Sequence, residues 1–465
     1  MSARNQQQSN AWSFYQLPLD VLVKICQFQD ATSFFAFLDA LGTPNLRGPL
    51  DLIWQVTAIE RNDLWPSLVL TEEIVFNPSR LALLQPVVQY YDHIEVRCLH
   101  DLGWLQQNLG QTSTISWHVA FPSAKTIVNG VFESLSVWFE LWVQLPIVAV
   151  AIEYDEDEED VSGLSADASP FFYAVLPHCC HLTHLTIHGT PWLSSIFEFA
   201  ASSSSLVELV LEEGVPSMLT ASHLGHITQW LTSAPVRRFY FPNLVVDSAA
   251  DATLRRAFIT ALFECPTMLE LDCRGWNFTD AASMLPATLG LQSLSLMCVI
   301  LPPSGLMALA RAVCHSPMLA HLGVSVFRQF EDDADGPAFQ QLFDAVAQSN
   351  VTSLNMANNR LYGAKWRYLA PKLQMSKLQS IALSLNMMRD DGAIWVAKAI
   401  QSNATITLVK LDGNGISMDG VVGLLNCTRS RQVHLTLDLR PSFYSENETA
   451  HLYKFAKELG VDLVL

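Results

Sequence analysis

The chain has 465 residues, half of them hydrophobic and only 15% charged. Such a composition can bury a large core or a long stack of small ones, and excludes extended disorder. A net charge of −18 with a sequence pI near 5.0 argues against nucleic-acid binding, where affinity comes from Lys and Arg at phosphates.

Residues 1–13 are polar and rich in Gln and Asn. They lack the apolar core of a signal peptide and are expected to be disordered. Residues 14–65 are predicted helical. Leu17-Pro18 starts an amphipathic helix with apolar residues at Val21, Leu22, Ile25 and Phe28. A second helix from about Ala31 to Ala40 carries Phe34, Phe35, Phe37 and Leu38, and a further helical stretch runs from Gly48 to the Trp65-Pro66 pair. Leu17, Pro18, Val21, Leu22, Ile25, Phe28, Phe34 and Phe37 together resemble an F-box, with Asp20 where that family more often has Glu. The resemblance implies docking through these residues onto a Skp1-type adaptor of a cullin ubiquitin ligase. The C-terminal Trp usual in that module is not at its expected spacing, although Trp54 and Trp65 follow. The alternative is a plain helical cap closing a repeat stack.

Residues 66–152 read as degenerate strand–helix repeats. Strands are expected at Ile94–Leu99, Ile115–Val119 and Ile147–Ile152, with helices near Asp101–Leu109 and Val131–Leu145. The most apolar stretch, Ile127 to Ile152, is interrupted by Glu133, Glu140, Gln144 and Pro146 and so predicts no membrane span. Residues 153–169 open with EYDEDEED, a charge run that reads as a solvated loop.

From residue 170 to 465 the chain is expected to be a stack of repeats with a C-terminal cap. Strands open at Leu182, Leu206, Val236, Met268, Leu291, Leu319, Val351, Leu378, Ile406 and His434. The three units opening at Val351, Leu378 and Ile406 start 27 and 28 residues apart. Each has apolar residues at positions one, four and six, and Asn at position nine: Asn359, Asn386 and Asn414. The first half of a unit alternates as a strand does, and the second half is helical, with Val396, Ala397 and Ile400 on one face. The pattern resembles the leucine-rich repeat of the ribonuclease-inhibitor type. That resemblance implies an α/β solenoid, a curved parallel sheet with outer helices, and Asn side chains bonded to the backbone of adjacent turns.

No motif for a catalytic nucleophile, a phosphate loop or a dinucleotide fold occurs, and neither a catalytic residue nor a cofactor is expected. The cluster His178, Cys179, Cys180, His181, His184 and His188 does not read as a metal site. His184 and His188 share a strand and would stand ~13 Å apart at about 3.3 Å per residue. The nine cysteines include no C-x-x-C spacing, which suits a reduced intracellular chain, cytoplasmic or nuclear. Candidate partner-binding residues lie at positions three, five and seven of the strands, which are expected to face outward. Glu208, Glu212, Arg238, Tyr240, Glu270, Asp272 and Arg274 gather there, with Val210 and Pro242 among them. Small polar residues such as Ser293, Ser295, Ser325, Ser353, Asn355, Ser380 and Ser384 follow. By its resemblances the chain is expected to be the substrate receptor of a Skp1–cullin–F-box ligase, with an unknown protein substrate. The alternative is a repeat scaffold or inhibitor without a ligase.

Overall fold

The structure is a computed structural model. It describes residues 19–56, 59–98, 101–123, 134–152, 164–189, 192–212, 218–247, 250–279, 285–327, 336–429, 431, 433–440 and 444–465. These fall into two units, residues 1–188 and 189–465. The acidic run Glu153–Asp160 lies outside the described residues.

The first unit opens with helices Leu19–Cys26 and Ala31–Leu41. Asp30 caps the second by accepting from the Ser33 amide at 2.7 Å, and Gly42 ends it in the left-handed region, φ 71°. The helix expected from Gly48 to Trp65 is instead a 3-10 turn, Gly48–Leu50, and two short helices, Asp51–Gln55 and Arg61–Leu64. Val56 breaks it by turning extended, which buries its side chain. Five strands follow: β1 (Leu68–Leu70), β2 (His93–Val96), β3 (Thr114–Trp117), β4 (Ile147–Ile152) and β5 (His184–His188). Each pairs in parallel with its neighbour in the chain. Residues 66–152 therefore follow the same strand–helix alternation as the clearer repeats. The connecting helices include Pro78–Leu84, Leu102–Asn108, Leu135–Trp142 and Ser169–Val175.

The second unit contains β6 (Glu208–Glu212), β7 (Met218–Leu219), β8 (Arg238–Tyr240), β9 (Val245–Val246), β10 (Glu270–Asp272), β11 (Ser293–Val299) and β12 (His321–Val326). It continues with β13 (Ser353–Asn355), β14 (Ser380–Ala382), β15 (Leu408–Lys410), β16 (Leu435–Asp438) and β17 (Val461–Val464). Apart from the small β7–β9 pair, these strands form a parallel sheet in chain order. Helices between the strands pack on one another, as Arg389–Ser402 does on Met418–Cys427. The apolar positions of the repeat form the core between helices and sheet, with Val351, Leu354, Met356, Leu378, Ile381 and Leu383 fully enclosed.

Where each strand ends, the backbone turns sharply. Position eight adopts positive φ in unit after unit: Asn243 (54°), Gly275 (75°), Cys298 (56°), Asn358 (57°), Leu385 (56°) and Gly413 (66°). That turn frees amides and carbonyls from the strand ladder, and they need other partners. Asn359, Asn386 and Asn414, all buried, supply them. Asn386 Oδ1 accepts from the amides of Asn359 and Leu361, while its Nδ2 donates to the carbonyls of Met356, Leu383 and Ser384. Asn414 does the same one repeat later, taking the amides of Asn386 and Met388. Trp276 occupies the same position nine, which the sequence pattern alone did not single out. Its indole N–H donates to the Phe241 carbonyl at 2.6 Å. Phe241 is position six of the preceding unit, the place of the carbonyl that Asn386 reaches at Met356.

Candidate partner-binding surface

Parallel register lines up the outward residues in rows across the strands. One row runs Glu208, Arg238, Glu270, Ser293, His321, Ser353, Ser380 and Leu408. The next runs Val210, Tyr240, Asp272, Ser295, Gly323, Asn355, Ala382 and Lys410. Four of the positions expected to face outward are corrected. Val210, in register with Tyr240, is buried. Ser325 and Ser384 turn in with the chain and are tied to the Asn358 carbonyl and the Asp412 carboxylate respectively. Pro242 is buried as well.

Six of the seven expected partner-binding residues, all but Glu208, line one cleft of about 390 Å³. Glu212, Arg238, Tyr240, Glu270, Asp272 and Arg274 are joined there by Ser293 and Ser295. Glu208 stands beside it, in register with Arg238. The ion pairs in the cleft are long: Arg238 Nε to Glu270 and Arg274 Nη2 to Asp272 are both 3.7 Å, with both guanidinium groups about half exposed. Such pairs contribute ~0–1 kcal/mol each. The Arg274 guanidinium also stands 6.0 Å from the Tyr240 ring centre. Burial raises the Asp272 carboxyl above its ordinary range, against the lowering effect of Ser295, Arg274 and Arg238. Burial likewise raises the Tyr240 phenol. Asp438 on β16 is the contrast. Arg440 grips it in two bonds of 3.1 and 2.9 Å, and those bonds hold its carboxyl below the usual range.

At the N-terminal motif, Leu17 and Pro18 and the side chains of Val21 and Leu22 lie outside what the structure describes. Phe28 is 93% exposed and Ile25 42%. Phe37 is half-buried. Phe34 is fully enclosed and stacks on Trp65, ring centres 3.9 Å apart. It is unavailable for docking and instead anchors the helices. Trp65 in turn donates to the Cys26 carbonyl, and Tyr91 Oη to the Leu64 carbonyl, joining the helices to the start of the sheet.

Among the described residues no group of three or more His, Cys, Asp or Glu is arranged to hold a metal ion. Cys179 is buried and its thiol is pushed up to about 12 by that burial. Cys180 is exposed. His223 is held between helices. Its Nδ1 accepts from the Thr220 amide and its Nε2 lies 2.9 Å from Ser194 Oγ. No described helix is long and apolar enough to cross a membrane.

No family model and no curated protein matches the sequence. Among solved structures, the crystal structure of a protein from Bacteroides fragilis is similar over 72% of this chain and 76% of its own, at 13% identity and a TM-score of 0.30. A likeness that loose carries no argument.

Proposed function

We propose that the chain is a leucine-rich-repeat recognition scaffold that captures a protein partner on its sheet face and joins it to a Skp1-type adaptor through an F-box-like N-terminus. It acts as a substrate receptor, without catalytic residues of its own, by raising the local concentration of the captured protein near the ligase. The observation that carries the recognition half is the cleft over β8 and β10. It places a half-exposed Tyr beside two Arg on a rigid sheet, and Tyr and Arg dominate binding hot spots. The adaptor half rests on the sequence resemblance, with the exposure of Phe28 and Ile25 in its support.

A second reading treats the N-terminal helices only as a cap. The stacking of Phe34 on Trp65, and the bonds that tie Trp65 and Tyr91 to the chain around them, favour it. Co-purification with a Skp1-type protein separates the two. Replacing Ile25 and Phe28 by Ala removes exposed side chains, so the melting temperature should hold. On the receptor reading adaptor binding is lost. A wild-type chain that binds no such adaptor leaves the cap reading.

A further inference from the structure

The edge of the sheet where β13, β14 and β15 end in their turns carries a second feature, independent of the cleft. Positions eight and ten of these turns take positive φ: Asn358 (57°) and Arg360 (51°), Leu385 (56°) and Met387 (53°), Gly413 (66°) and Gly415 (64°). Gly and Asn adopt that region readily, whereas Leu and Met are held there against their Cβ atoms. The same two side chains are 53% and 52% exposed. They cost the fold twice, in backbone strain and in apolar surface left in water, at positions that the next repeat fills with glycine. Packing accounts for little of this. Leu385 lies over Gly413 and still stands half in solvent. Nothing lies within 4 Å of the Cβ position of Gly415, so Met387 does not cover its counterpart. Strain kept in exposed side chains points to a functional surface.

We infer that these turns dock a protein segment that sets carboxylates beside apolar side chains. The apolar groups rest on Leu385 and Met387, and the carboxylates meet Arg360 and Arg389. Hydrogen bonds hold the three turns side by side. The Asn359 and Leu361 amides donate to Asn386 Oδ1, and those of Asn386 and Met388 to Asn414 Oδ1. The Leu385 and Arg389 amides donate to the Asp412 and Asn414 carbonyls. Arg360, one repeat before Met387, and Arg389, two residues after it, therefore flank the apolar pair, and both are exposed. Neither guanidinium has a hydrogen-bond or ion-pair partner among the described residues. The nearby acids are turned to other groups. The Asp412 carboxylate accepts from Ser384, and Asp390 accepts from the amide and hydroxyl of Ser417. Asp391 belongs to the first turn of the helix Arg389–Ser402, with its Cβ beside Gly363. Two cations without partners around exposed apolar side chains are complementary to carboxylates set around apolar ones. An anionic bilayer offers similar chemistry, but it repels a chain of net charge −18.

The test uses the full chain with methyl-labelled methionine, the Met387 signal being identified by its absence from Met387→Gly. The probes are the peptide acetyl-Ser-Asp-Leu-Leu-Asp-Ser-amide, a form with Asn for both Asp, and a form with Ser for both Leu. In NMR titration at low salt the parent peptide should shift the Met387 signal. It should bind about tenfold or more tightly than either altered form. Arg360→Gln with Arg389→Gln should remove the preference for Asp over Asn. Leu385→Asn with Met387→Gly, followed on the peptide's own signals, should abolish binding. Its melting temperature should stay level or rise, because the new residues suit a positive φ. The inference is overturned if the parent peptide gives no shift at Met387 by about 10 mM, or if an altered form binds as tightly. It is overturned equally if the arginine variant keeps the preference, or if Leu385→Asn with Met387→Gly melts lower, the two side chains then serving the fold. Sedimentation of the wild type, and not of that variant, with phosphatidylcholine–phosphatidylserine vesicles would replace the protein segment by a membrane and also overturn it.

Discussion

Replacing Asn386 by Ala tests whether the turns are held by their Asn side chains. The side chain is fully buried, its Oδ1 serves two amides and its Nδ2 three carbonyls. Alanine leaves the buried Asn359 and Leu361 amides without their acceptor. Each orphaned buried group costs about 1–3 kcal/mol, so two give about 2–6. The carbonyls lose less, because each keeps a second lone pair. The expected loss is about 3–5 kcal/mol, read from urea unfolding with an unchanged slope. Asn350→Ala is the control. That Asn is exposed, bonded to the Pro317 carbonyl and to Lys377, and its removal should cost below about 0.5 kcal/mol. Asn386→Asp keeps the acceptor but aims its second oxygen at three carbonyls. Its destabilisation should therefore grow as pH rises above the ordinary carboxyl value near 4. A loss under about 1 kcal/mol for the alanine variant would show that the turn amides find other partners, and would refute the reasoning.

Three further outcomes are expected. Trp276→Phe keeps the ring packing but removes the donor to the Phe241 carbonyl, and should lower stability by about 1–3 kcal/mol in the same unfolding assay. Burial, and then the neighbouring His226, hold the His223 imidazole below its ordinary value. The unfolded chain then binds more protons than the folded one, so stability is full above about pH 6.5 and is lost as pH falls through the lowered folded value. Melting curves between about pH 8 and 5 should show this. They should flatten in His223→Gln, which can still accept from the Thr220 amide as a capping-box residue. Tyr240→Ala with Arg274→Ala should abolish partner capture while Ser353→Ala with Ser380→Ala should not, all four leaving the melting temperature nearly unchanged. Loss in the serine pair alone would put the site farther along the sheet.

The residues at positions one, four, six and nine determined the strands of the repeats from Val351 to Leu411 by themselves. A strand's period of two fixes which side chains turn inward, and the turn that follows leaves amides that a buried Asn can satisfy. Strand β1 was not legible, because three buried residues, Leu68–Leu70, show no alternation. Nor was the break at Val56, where burial overrode helical propensity. The tertiary structure alone decided that Trp276 takes over the donor half of an asparagine's work, since that depends on which carbonyl lies one repeat away. It decided in the same way that Val210 and Ser384 are buried, Ser384 being bonded to the Asp412 carboxylate of the next repeat. The acids and bases of the cleft were visible along the chain. Their shared repeat positions also set Arg238 beside Glu270 and Tyr240 beside Asp272, as the register has them. Only the tertiary structure decided how far apart the charged groups stand, 3.7 Å in both ion pairs.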